Sequence, residues 1–592
     1  MRGRLSPAAG MTAAALAIGL ILRLIGLQFG LPAVYNPDEV SIMARALSFA
    51  KGTLNPHNFL YPTLYFYVLF VWVGVYLAFV RLTGGVSSLP ALQRLYFTAP
   101  TGIYTAGRAL GAASGSATIF LVHRLGSRLL DARAGAAAAV FLAVAPLAVR
   151  DAHYVKHDVF ATMTVVVAYL AMARLWPAPR PVGPSRRDVV LAGAACGAAF
   201  STHYYCVFLG LPLVWVIIQA GRHPVMGPAE PGRYGAAVVS GFSRTTLVTL
   251  TIAGLAAGAA FLLCSPFIAV EPLTAWRDIT ANRQIVIDRA VEAGAFAPAA
   301  RYLEMLWSDS IGAPIVALGA AGAVGMLVAA PARAVFLLAF PIPFFLFITN
   351  TFPATRYLNP LLPFVALFAA SVLSWLVART RAPGWVFWTT VIACAAPGLV
   401  DSLQTDLFFR RSDTRTLALG YIERQIPSGA TVLVQPYSVP MTPSREGLVE
   451  ALARNLGNAE SASTKFQIQL SLDPYPSPAY RLIYLGHGGL DADKIYVDYN
   501  ELGGPRGLDA LRRLDVAFVV LKRYNTSDPE TTPFLAALAQ EGRRVAVFSP
   551  YRSGLSETEQ ARIDPFLHNT DARIDDRLDR PGPPIEIWAL GR

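Results

Sequence analysis

Cysteine is scarce in this chain and confined to one kind of place. Cys196, Cys206, Cys264 and Cys394 all lie within apolar runs, and the last third has none. That distribution excludes a disulfide framework and a thiolate zinc site. The last third also lacks an internal repeat and a glycine-rich phosphate loop, so a solenoid and a P-loop nucleotide site are excluded there. A small-residue cleavage site is missing before residue 36. The segment Met1 to Phe29, with Arg2 and Arg4 ahead of an apolar stretch, therefore reads as a retained first helix rather than a removable leader.

What the chain has in abundance is apolar sequence. Over 592 residues it is 54% hydrophobic with a mean hydropathy of +0.45, which excludes an ordinary soluble protein and indicates a polytopic membrane protein. The apolar runs stop near Ser402 and polar residues then dominate. The expected organisation is a membrane domain over 1–402, a linker over 403–413 and a soluble domain over 414–592. The net charge of +12 does not argue for nucleic acid, because arginines gather in short loops where positive charge sets orientation. The clusters are Arg2 and Arg4; Arg124, Arg128 and Arg133; Arg180, Arg186 and Arg187; Arg222, Arg233 and Arg244; Arg333; and Arg379 with Arg381. Taken as cytoplasmic, they give about eleven crossings with the N-terminus inside and the tail outside. The aromatic-rich stretch Tyr61 to Leu82 breaks this parity and is expected to lie along or dip into the outer face. Asp38 and Asp158 then share one side of the bilayer.

In the tail, helical spacing over 414–425, 507–513 and 534–541 alternates with β-rich runs at 431–434, 481–485, 516–521, 545–548 and 585–588, predicting a mixed α/β domain. Chemistry concentrates at four expected helix mouths. Asn36-Pro37-Asp38-Glu39 follows the first apolar run. A carboxylate there serves either as proton acceptor for a hydroxyl or as a helix cap, with Glu39 bracing. The turn His153-Tyr154-Val155-Lys156-His157-Asp158 offers cationic donors for phosphate or ligand atoms for a metal, against the plainer role of a solvated turn. His203-Tyr204-Tyr205 and Thr355-Arg356-Tyr357-Leu358-Asn359-Pro360 complete the set, Arg356 with a forked donor suited to phosphate or else an orientation anchor. Arg23 and Arg108, beside apolar runs, read as snorkelling residues.

Together NPDEV at 36–40, YPTLYFY at 61–67, HYVKHDVFAT at 153–162, STHYY at 201–205, SPF at 265–267 and TRYLNPLLPF at 355–364 resemble the polyprenyl-phosphate-dependent glycosyltransferases of the GT-C fold. The likeness is to the bacterial branch related to protein O-mannosyltransferases and to the aminoarabinose transferases of lipid A. The tail motif DTRTLALGYIERQIPSGATVLV at 413–434 resembles the extracytoplasmic domain of many members. The resemblance implies a multi-pass enzyme of the inner (plasma) membrane. Such an enzyme moves a sugar, with inversion, from a polyprenyl-phosphate donor to a protein, lipid or glycan acceptor outside the cytoplasm.

On the matching positions the resemblance makes Asp38 the general base and Glu39 its acidic neighbour. It places Asp158 in the cavity wall and Arg356 near the donor phosphate. Where relatives carry lysine this chain has His203, which shifts phosphate binding toward Lys156. His153, Tyr154, His157, Tyr204 and Tyr357 are the remaining candidates for substrate binding. The resemblance leaves participation of a divalent metal open and names no other cofactor. The alternative class is a transporter or flippase of a lipid-linked or anionic substrate, which would place ionisable groups at mid-membrane and show repeat symmetry.

Overall fold

Helices dominate residues 6 to about 425 because long apolar stretches leave the backbone no polar partner but itself. The computed structural model describes residues 6–176, 185–222, 244–291, 296–489, 491–503, 507–523, 531–568 and 574–591. Arg2, Arg4, Arg180 and Arg233 of the expected cytoplasmic clusters lie outside them. The chain forms two compact units, one of Met1–Leu27, Asp38–Gly74 and Ala106–Asp406, the other of Gln28–Pro37, Val75–Thr105 and Leu407–Arg592.

Among the described residues seven helical segments are long and apolar enough to cross a membrane. These are Pro7–Leu24, Leu64–Leu82, Tyr204–Gly221, Arg244–Cys264, Pro331–Ile348, Thr355–Thr380 and Gly384–Gln425. Shorter apolar helices run over Ala132–Ala143, His157–Met172 and Ala313–Ala329. Two apolar runs are interrupted. One is split into Ala132–Ala143 and Pro146–Asp151, the other into Pro331–Leu338 and Pro341–Ile348. In each case proline opens the second helix, because it has no N–H to donate back to the preceding turn. The segment Leu64–Leu82 is one continuous helix with Val71, Val75, Phe79 and Leu82 exposed, a stripe suited to hydrocarbon.

The membrane unit is held by close helix pairs. Arg186–Phe200 packs on Arg244–Cys264, Ala313–Ala329 on Leu362–Thr380, and Pro7–Leu24 on Ala132–Ala143. The first pair depends on Gly193 and Gly197. A side chain on either would run into the backbone of Ala253 or Ala257, so only a small-xxx-small pattern lets these helices approach.

The second unit contains one six-stranded sheet: β1 Thr431–Val434, β2 Arg481–Leu485, β3 Ile495–Val497, β4 Phe518–Lys522, β5 Gly542–Phe548 and β6 Ile585–Leu590. Its order is β3-β2-β1-β4-β6-β5. The first four strands are parallel and β6 is antiparallel to both neighbours. Alternate side chains build two cores. Leu433, Ile483 and Val519 fill one, and Val432, Leu482, Val520 and Ile587 fill the other.

Candidate active site

Pro37 opens the helix Pro37–Ser48, placing Asp38 and Glu39 in its first turn, where carboxylates suit the helix dipole. Neighbours on a helix point in different directions, and the two acids meet opposite environments. Glu39 is fully buried. Its oxygens accept from Arg108 Nε and Nη2 at 2.9 Å each, and Oε1 also accepts from the Val155 N–H at 2.9 Å. Arg108 donates its remaining arm to the Leu27 carbonyl at 2.9 Å. Arg108 is therefore no snorkelling residue but the buried counter-ion of Glu39. Arg23 also departs from that expectation: it is fully buried and donates to the carbonyls of Gly19, Leu142 and Ala143.

Asp38 faces the open side, with its side chain 46% exposed. Lys156 Nζ lies 3.0 Å from its Oδ2, and Arg356 Nη1 lies 3.9 Å from the same oxygen. Burial alone would push the Asp38 carboxyl up. The neighbouring Lys156 and Arg356 outweigh it and hold the group below its ordinary value. Asp38 is thus ionised at neutral pH.

The expected turn divides into two parts. Lys156 precedes the helix His157–Met172, and with His157 and Asp158 it belongs to the Asp38 cluster. Asp158 is buried within electrostatic reach of Arg356, Lys156 and His203. Tyr61 lies over His157 with ring centroids 4.0 Å apart, and His203 sits 5.1 Å from His157. The Nδ1 atoms of His157 and His203 are buried and have no hydrogen-bond partner among the described residues. His153 points elsewhere: its two ring nitrogens lie 2.9 Å from the Val149 carbonyl and 2.8 Å from the Ile25 carbonyl. Tyr154 is buried, with its ring 5.5 Å from the Lys156 ammonium.

Arg356 sits in the 3-10 turn Thr355–Leu361, 5.3 Å above the Tyr357 ring. This turn is held from behind. Arg150 Nη2 donates to Thr355 Oγ1 at 2.9 Å, and Asn359 Nδ2 donates to Asp151 Oδ2 at 2.6 Å. Tyr204 donates to the Phe59 carbonyl at 2.8 Å, and Asp278 accepts from the Phe59 N–H at 2.9 Å. These bonds fix the loop that carries Tyr61. Sequence reasoning missed Tyr61, Arg108, Arg150 and Asp151 as parts of the site, while Asn359 belongs to the fourth stretch it singled out. The signal was present, since buried charged residues beside apolar runs demand partners. Among the described residues no group of three His, Cys, Asp or Glu side chains is placed to hold a metal ion, and the positive charge here belongs to Lys156 and Arg356.

No curated protein was found to match the chain. Among solved structures it is similar to the oligosaccharyltransferase of Archaeoglobus fulgidus with zinc and sulfate, at 12% identity and a TM-score of 0.47, over 91% of this chain and 72% of that one. It is also similar to ArnT of Cupriavidus metallidurans bound to undecaprenyl phosphate, at 15% identity and a TM-score of 0.46, over 91% and 96% of the two chains. A third likeness is to the Archaeoglobus fulgidus oligosaccharyltransferase AglB with an inhibitory peptide and a dolichol-phosphate, at 12% identity and a TM-score of 0.47, over 92% and 73%. Scores this low carry no weight for the reaction. The family model described as dolichyl-phosphate-mannose-protein mannosyltransferase matches residues 102–239. That segment holds Arg108, the turn from His153 to Asp158, and His203, and on it the glycosyltransferase class implied by the motifs is borne out.

Proposed function

We propose that this protein transfers a sugar from a polyprenyl-phosphate donor to an acceptor hydroxyl outside the cytoplasm, with inversion, and that Asp38 is the general base. The observation that carries this reading is one carboxylate at an open face with two cations on the same oxygen, 3.0 and 3.9 Å away. The acceptor oxygen attacks the anomeric carbon and its bond to the lipid phosphate breaks. The hydroxyl proton passes to Asp38 and then to water. The departing phosphate needs positive charge where its own negative charge develops, and Lys156 and Arg356 supply it. Their present pairing with Asp38 keeps the base ionised but weak. Arrival of the donor phosphate competes for both cations, so Asp38 becomes more basic when the substrate is bound.

Glu39 and Arg108 position this assembly. The Val155 N–H that Glu39 receives lies one residue from Lys156. His157 and His203, whose Nδ1 atoms have no partner among the described residues, contact the donor's head group beside Tyr61, and Asp158 lines the same wall. His153 and Tyr154 support the turn. The GT-C assignment, the extracytoplasmic tail and a surface-lying Leu64–Leu82 helix belong to the same reading.

The test is to incubate the purified protein in lipid with a panel of polyprenyl-phosphate sugars and acceptors, following lipid-phosphate release and the anomeric configuration of the product. Transfer with inversion supports the reading. Translocation of the donor without release of lipid phosphate, or retained configuration, overturns it.

A further inference from the structure

The helix His157–Met172 has the candidate site at its first turn, and a second feature lies beyond its far end. Sixteen residues separate Asp158 from Arg174, which at 1.5 Å per residue is about 24 Å, close to the thickness of a hydrocarbon core. There a cavity of about 590 Å³ opens between the helices Thr101–Leu129, His157–Met172 and Arg186–Phe200. Arg124, Arg128 and Arg174 line it, and among the described residues no acidic one does. All three arginines are exposed. Arg128 Nε donates to the Ala173 carbonyl at 2.9 Å, and Arg174 lies 3.9 Å from Asp188. The rest of the wall is mainly apolar. Phe120, Val167 and Leu191 face the cavity and are also among the exposed large hydrophobics of their helices.

We propose that this groove binds an anionic glycerophospholipid of the leaflet opposite the transfer site, with its phosphate on the three arginines and an acyl chain along Phe120, Val167 and Leu191. Charge complementarity selects the head group, since guanidinium forks match phosphate oxygens. The apolar wall selects against inorganic phosphate, which would leave it uncovered. The volume falls in the range of pockets that enclose small-molecule groups, and basic pockets between membrane helices are suited to lipid head groups. A lipid wedged here ties three helices together at the end away from the chemistry. The site is separate from Asp38 and stands whether or not the transfer reading holds.

The experiment is native mass spectrometry of the intact protein released from mixed nanodiscs of phosphatidylglycerol, phosphatidylcholine and undecaprenyl phosphate. The wild type is expected to retain phosphatidylglycerol in preference to phosphatidylcholine. The triple variant Arg124→Gln, Arg128→Gln, Arg174→Gln should lower that retention about a hundredfold. Arg128 also bonds a helix end, so a second variant, Arg124→Glu alone, guards against misfolding and should weaken retention about tenfold or more. Equal retention of phosphatidylglycerol in wild type and Arg124→Glu, equal retention of both phospholipids, or preferential retention of undecaprenyl phosphate would each overturn the proposal.

Discussion

Replacing Glu39 with leucine leaves the Arg108 guanidinium fully buried without its counter-ion and the Val155 N–H without its acceptor. Both partners are 0% exposed, so solvent screening gives no relief. Breaking a buried, doubly hydrogen-bonded ion pair by removing one partner costs about 3–5 kcal/mol, a factor of roughly 150 to 5,000 in the folding equilibrium. Arg108→Leu should cost a similar amount. Removing both partners at once leaves no uncompensated charge, but the Val155 N–H still lacks its partner at about 1–3 kcal/mol. The double variant should therefore be more stable than either single variant and less stable than wild type. Unfolding of the purified protein in lipid, followed by tryptophan fluorescence, measures this cycle. If the losses of the single variants simply add in the double, the two residues are uncoupled and the bracing role assigned to Glu39 is wrong. Transfer measured well below the unfolding temperature should also fall, since the chain segment displaced carries Lys156. A misplacement of about 1 Å costs on the order of a hundredfold in rate.

Three other outcomes follow from the same geometry. Arg356→Lys should weaken donor binding by about tenfold or more through loss of the fork, as measured by the Michaelis constant for the lipid-phosphate sugar. Asp38 sits below its ordinary value, so the ionised state persists as pH falls until that depressed value is reached. Measured as kcat/KM, which reports the free enzyme, the acid limb of transfer should therefore lie below the ordinary carboxylate range, and Lys156→Ala should move it upward. The sign for stability is the same: the ion pair's contribution is present above the unfolded value of about 3.9 and is lost as pH drops through the folded one. Gly197→Val forces a branched side chain against Ala257, and the loss should appear as reduced thermal stability of the membrane unit.

Much of the second unit was legible because its local signals agree. The helix Thr414–Gln425 and strands β1 and β2 occur where spacing predicts them. The helices Arg445–Leu456 and Thr464–Leu470 were missed, as was β3 Ile495–Val497. The strand has three residues, too few for alternation to register, and the first helix carries mixed charge on a weakly apolar face. In the membrane unit, composition reveals that apolar segments exist but not where they end. The first helix stops at Leu24, before Gly26 and Gly30 at positive φ, while the last runs from Gly384 to Phe409, past Ser402.

The gathering of Asp38, Lys156, His157, Asp158, His203 and Arg356 follows from placing them at helix mouths on one side. What spacing does not carry is direction within a mouth. His153 and Lys156 are three residues apart, yet one ring meets backbone carbonyls and the other side chain reaches Asp38. The Glu39 partnership also spans 69 residues, with no local trace beyond an unaccounted buried charge.

The base assignment is tested most directly by Asp38→Asn under single-turnover conditions, with donor binding measured in parallel. The substitution keeps the side chain's shape and removes its ability to take a proton. The expected result is a transfer rate lowered by about 100- to 10,000-fold with lipid-phosphate sugar still bound. Transfer by Asp38→Asn at the wild-type rate would contradict the account.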